Sequence, residues 1–71
     1  MTVADVYALI CNDLDVNGVS VASVEDIYHV LYAAPYGYGG RAAGTAVAMA
    51  VNTTCPRHQR AMDEAKRQAT S

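Results

Sequence analysis

Apolar residues recur at three- and four-residue intervals along most of the chain, with polar or glycine-rich stretches between the runs. The first run is Val3, Val6, Tyr7, Ile10, Cys11 and Leu14, the spacing of one helix face. Thr2 and Asp5 stand at the N-cap and third helical positions of a capping box, and Asn17-Gly18 stops the run because both residues tolerate positive φ. Asp13 and Asp15 fall at the C-terminal end, where the helix dipole disfavours acids, so the helix is expected to end close by. A second run of Val24, Ile27, Tyr28, Leu31 and Ala34, flanked by Val30, predicts a second helix. Ser23 is its expected cap, with Glu25 and Asp26 in the first turn where the dipole favours them. Between the two helices, Val19, Val21 and Val24 alternate with small residues next to an Asn-Gly pair, which is a hairpin signal. The flanks are too short to build a sheet, and this stretch reads as a loop.

Pro35-Tyr36-Gly37-Tyr38-Gly39-Gly40 cannot continue a helix. Arg41 opens the third one, with Ala43, Val47, Ala50, Val51 and Thr54 on one side. Small residues at Ala42, Gly44, Ala46, Ala48 and Ala50 would let another helix approach closely, so the Ala-rich helix is a candidate homo-oligomer contact. Pro56 either ends this helix or fits the first turn of a fourth. Residues 57–69 favour helix but offer few anchors: Met62, Ala65 and, more weakly, Ala61 and Ala69. The pattern predicts one all-α domain over residues 1–71, a small bundle of three to four helices. Its core covers residues 2–56, and the C-terminal helix, residues 57–70, is exposed and peripheral.

Size and composition make that core thin. A chain of 71 residues buries only about 60% of its unfolded surface, so it gains much from a covalent staple or a partner. The sequence is 52% hydrophobic and 17% charged, as a globular chain should be, but much of the apolar content is alanine. Trp and Phe are absent, and five tyrosines are the only large aromatics. Charge is uneven. In residues 1–51, Asp5, Asp13, Asp15, Glu25 and Asp26 oppose Arg41 alone, a net of −4. In residues 52–71, Arg57, Arg60, Lys66 and Arg67 oppose Asp63 and Glu64, a net of +2. These four cations form a candidate basic surface for an acidic partner, although a solvated face of mixed charge is the more ordinary reading. The longest apolar stretch, residues 42–51, is far short of the roughly 20 residues a membrane span requires. The start, Met-Thr-Val-Ala-Asp, lacks the basic region and apolar stretch of a signal peptide. The expectation is a cytoplasmic protein as written, or a secreted or envelope protein if a leader has been removed.

Cys11 continues the first apolar stripe and Cys55 continues the third, so each is placed to face the core. They read either as a disulfide or as two ordinary buried thiols, and the residues alone leave both open. Cys55-Pro-Arg-His58 has one Cys-x-x-His knuckle, which Cys11 and His29 would have to complete for zinc; without a second paired motif the chemistry is not expected. A Cys–His nucleophilic pair would lack an orienting third group, so no catalytic residue, metal or cofactor is expected. His29, beside the second stripe, and His58, in the basic tail, read as partly solvated.

The stretch Val-Tyr-Ala-Leu-Ile-Cys11-Asn-Asp-Leu14-Asp15 resembles the cysteine-leucine-aspartate helix of a small actinobacterial family, a two-cysteine helical domain of unknown function. That family is common in secreted mycobacterial proteins and also occurs in their phages. Ala46-Val47-Ala48-Met49-Ala50-Val51-Asn52-Thr53-Thr54-Cys55-Pro56 is similar to its closing helix, which ends in a cysteine-proline pair. The likeness covers about residues 6–58. It implies a disulfide between Cys11 and Cys55, and a mycobacterial or mycobacteriophage origin. It implies no activity. Thr54 stands where the family usually carries an aromatic residue, and the glycine-tyrosine loop looks like an insertion.

Two surfaces remain as binding candidates. Tyr36, Gly37, Tyr38, Gly39, Gly40 and Arg41 combine amphipathic tyrosines with glycines that let a partner's backbone approach, a chemistry used by antibody paratopes. The plainer reading has the tyrosines folding back on a core short of aromatics. A DNA reader of helix-turn-helix type would need a recognition helix rich in polar groups, whereas the third helix carries Arg41 and then alanines. The expectation is a non-enzymatic accessory domain with a protein partner. A small DNA-binding regulator using the basic C-terminal helix is the alternative, though nucleic-acid binding is not favoured.

Overall fold

The computed structural model describes residues 2–70. Among them the fold is all-α: α1 is Val3–Asn17, α2 is Val21–Tyr32, α3 is Gly40–Thr53, and a 3-10 turn at Pro56–His58 leads into α4, Gln59–Thr70.

Helix α1 starts as its local chemistry dictates. The Thr2 hydroxyl accepts from the Asp5 backbone N–H at 3.2 Å, and the Asp5 carboxylate accepts from the Thr2 N–H at 3.1 Å. Val6, Ile10, Cys11 and Leu14 are buried and Tyr7 is half-buried. Val3, which the pattern placed on the same stripe, is 61% exposed, since the first turn stands outside the buried core cluster. The helix stops at Gly18, whose φ of 77° suits glycine, and the Gly18 N–H donates to the Leu14 carbonyl at 2.9 Å.

Helix α2 begins one turn earlier than the sequence pattern indicates. Its N-cap is Ser20, not Ser23, and the two serines form a reciprocal box. The Ser20 hydroxyl accepts from the Ser23 N–H at 3.1 Å, and the Ser23 hydroxyl accepts from the Ser20 N–H at 2.9 Å. Ser23 also donates to the Gly18 carbonyl at 2.8 Å, which lets a polar side chain lie at 8% exposure. Starting at Ser20 adds Val21 to the helix, half-buried like Val24, and places the Ser23 hydroxyl inside the first turn where it closes the box. Glu25 and Asp26 consequently lie beyond the first turn. Ile27 and Leu31 are the buried anchors. Ala34 is not part of the helix: Ala33 caps it in an extended conformation, and the Ala34–Pro35 peptide bond is cis.

Helix α3 is the centre of the molecule. Ala43, Ala46, Val47, Ala50 and Val51 are buried, and α1 and α2 both pack on it. The small residues Ala43, Ala46 and Ala50 thus serve close packing within the chain, while Ala42 and Ala48 stay exposed. Thr54, expected on the inner side, is exposed because it caps the helix end. Cys11 and Cys55 form a disulfide with their Cα atoms 5.9 Å apart, tying the third turn of α1 to the end of α3. Pro56 occupies the first position of the 3-10 turn, where its missing N–H costs nothing. On α4 only Met62 and Ala65 are buried; Ala61 and Ala69 are exposed. The helix is peripheral, packed mainly on α2 and the 3-10 turn.

Candidate functional site

The segment between α2 and α3 is folded back by three backbone hydrogen bonds. The Tyr36 and Gly37 N–H groups both donate to the Ala33 carbonyl at 3.0 Å, and the Tyr38 N–H donates to the Leu31 carbonyl at 2.8 Å. Gly37 sits at φ 61°, a left-handed conformation that a β-branched or bulky residue would strain. Tyr36 and Tyr38 are half-buried and pack against the core, whereas Gly37, Gly39, Gly40 and Arg41 are exposed. The tyrosines therefore supply aromatic bulk to an alanine-rich interior and keep part of each ring at the surface. Beside Tyr38 lies a broad, open depression of about 740 Å³. Val3, Tyr7, Tyr38, Arg41, Ala42 and Thr45 help to line it, so the exposed start of α1 and the loop make one surface. Val3 belongs to this surface although the sequence pattern placed it on the inward stripe, while Tyr7 both packs against the core and lines the depression.

A second concavity, of about 170 Å³, runs between α2, α3 and α4. Its walls are mainly apolar, with Val24, Tyr28, Val47 and Met62 among them, and Glu25 and Lys66 are its charged lining residues.

The four tail cations do not share one environment. Arg57 grips Asp15 with two nitrogens: Nη2 donates to Oδ1 at 2.8 Å and to Oδ2 at 2.7 Å, and Nε donates to Oδ1 at 3.2 Å. His58 Nε2 lies 2.6 Å from the same Oδ1. Because an ionised carboxylate only accepts, that ring nitrogen carries the proton. The hydrogen bond from Arg57, followed by that from His58, holds the Asp15 carboxyl below its ordinary value of 3.8. Arg67 pairs with Glu64 one turn away. Among the described residues, Arg60 and Lys66 have no ion-pair partner, so the basic surface read from the sequence comes down to two uncommitted charges.

Cys11 and Cys55 are joined to each other, and no cluster of three or more His, Cys, Asp or Glu side chains that could hold a metal occurs among the described residues. His29 is exposed and meets Tyr32 edge-on, ring centroids 6.2 Å apart, with Tyr28 and Tyr32 stacked alongside at 6.4 Å. His58 is half-buried. Among the described residues, no helix is long and apolar enough to cross a membrane.

The contact between Asp15, Arg57 and His58 is the feature that reading residue types missed. A signal for it exists. Asp15 lies four residues after Cys11, on the same face of α1, while Arg57 and His58 follow Cys55 by two and three residues. Once the two cysteines are paired, these side chains come within reach of one another. Comparison with family models, with curated proteins and with solved structures finds no match to the chain.

Proposed function

We propose that this is a non-enzymatic accessory domain that binds a protein partner through the surface formed by residues 36–41 and the start of α1. The observation that carries this reading is the open depression where half-exposed Tyr7 and Tyr38, exposed Val3 and the Arg41 cation lie together. Aromatic residues and arginine are enriched at interface hot spots, and a concave patch of this kind gives each a place to anchor. The disulfide supports the reading by holding α1 and α3, which carry the two sides of the surface, in a fixed relation. The DNA-binding alternative draws less support, because Arg57 and Arg67 are already paired with acids.

Affinity capture from the cell that makes the protein tests the proposal, comparing wild type with Tyr38→Ala, Arg41→Ala and an Arg60→Ala/Lys66→Ala double variant. Each variant is first checked for an unchanged helical circular-dichroism spectrum. A protein held by wild type and by the tail variant, but lost from the loop variants, is the expected result. Loss from the tail variant alone, or capture of nucleic acid by wild type, would overturn it.

A further inference from the structure

The pairing of Asp15 with Arg57 and His58 stands one helical turn beyond the disulfide, on the same two elements. Asp15 is on α1, four residues after Cys11; Arg57 and His58 belong to the 3-10 turn that follows Cys55 directly. The contact uses four donor–acceptor approaches between 2.6 and 3.2 Å, none involving sulfur. It fixes the two chain segments that the disulfide joins. Cys11 and Cys55 are themselves 5% and 0% exposed, so an attacking thiol reaches the bond only after local opening. An opening that parts the 3-10 turn from α1 breaks the grip on Asp15.

We propose that Asp15, Arg57 and His58 form a registration clasp: it holds Cys11 against Cys55 before they are oxidised, and afterwards limits access to the bond. The partner in the reaction is a small disulfide of the glutathione type. One cysteine thiolate attacks it, forming a mixed disulfide and releasing one small thiolate. The second cysteine thiolate then attacks the protein sulfur of that mixed disulfide and releases the other. The chain loses two electrons and two protons; the small disulfide gains the electrons, and its two thiolates take up the protons. The clasp raises the encounter rate in the second step, because it holds the second thiol beside the mixed disulfide.

The test equilibrates the purified chain with mixtures of reduced and oxidised glutathione and measures the effective concentration of the cysteine pair, then the rate of reduction by dithiothreitol. Asp15→Asn and the Arg57→Ala/His58→Ala double variant are expected to lower the effective concentration about three- to fivefold, the scale of an exposed bidentate pair. They are expected to speed reduction to a similar degree, and about 0.5 M salt should bring wild type toward the variants. Asp13→Asn, whose carboxylate takes a hydrogen bond from Asn17 instead, is expected to behave as wild type. Met62→Ala serves as the comparison for general stability, since Met62 is buried in the core and is no part of the clasp. If reduction rates follow melting temperature across Asp15→Asn and Met62→Ala alike, the inference fails. It fails equally if Asp15→Asn stays within twofold of wild type, or if Asp13→Asn matches it.

Discussion

An acid at the end of a helix faces the partial negative charge of the last carbonyls, and Asp15 occupies that position on α1. The arginine and histidine that close over it reverse the balance and lower its pKa. With the folded value below the unfolded one, the stabilisation is fully present above the ordinary aspartate range near 3.8. It is lost as pH falls through the depressed folded value. The melting-temperature gap between wild type and Asp15→Asn should therefore hold from pH 7 down to about 5 and close at more acid pH, as thermal melts across that range will show. The same residue marks how far local reading reaches. Thr2 with Asp5 was legible because both partners lie within one turn. Asp15 with Arg57, 42 residues apart, becomes legible only once Cys11 and Cys55 are paired, a pairing that the residues alone left open.

At the scale of elements, the beginning of α2 shows two serines competing for one role. Both fit a cap, and sequence spacing cannot rank them; with Ser20 as the cap, Ser23 completes the reciprocal box and also reaches the Gly18 carbonyl. Ser23→Ala should cost about 1 kcal/mol in urea unfolding, because it removes the hydroxyl that accepts from the Ser20 N–H and donates to the Gly18 carbonyl. Helix α4 was legible as an element and as a weakly held one, since Met62 and Ala65 were its main visible anchors. Its amides should exchange with deuterium faster than those of α1 and α3, because local opening there breaks few apolar contacts. The loop between α2 and α3 was legible as a break. Which parts of its tyrosines would be covered was not, because that depends on where α1 passes.

For the molecule as a whole, one covalent bond outweighs any single packing contact. Joining residues 44 apart restricts the unfolded chain enough to stabilise the fold by about 4 kcal/mol, against a core in which Ala43, Ala46 and Ala50 take the place of larger side chains. The Cys11→Ser variant, the Cys55→Ser variant and the reduced wild type should each melt at least about 10 °C lower than the oxidised protein. Equal melting of all four would remove the disulfide from its central role. The helical class and the inward position of both cysteines were legible from spacing. The choice between bridge and free thiols was not, because helix periodicity sets which face a sulfur occupies and says nothing of how helices are stacked.

The disulfide also divides the chain topologically. Residues 11–55 form a closed ring containing α2, the tyrosine-glycine segment and α3, while α4 hangs outside it as a tail. Cutting the backbone once inside the ring, for instance after exposed Arg41, opens the circle without releasing a fragment. Both flanks of the tyrosine-glycine surface would stay attached through sulfur, and such a nicked molecule would separate into two pieces only under reductant. Cutting the tail after Arg60 frees α4 at once. A protease could thus trim the segments outside the ring and nick the chain within it, and only the trimming would take mass away.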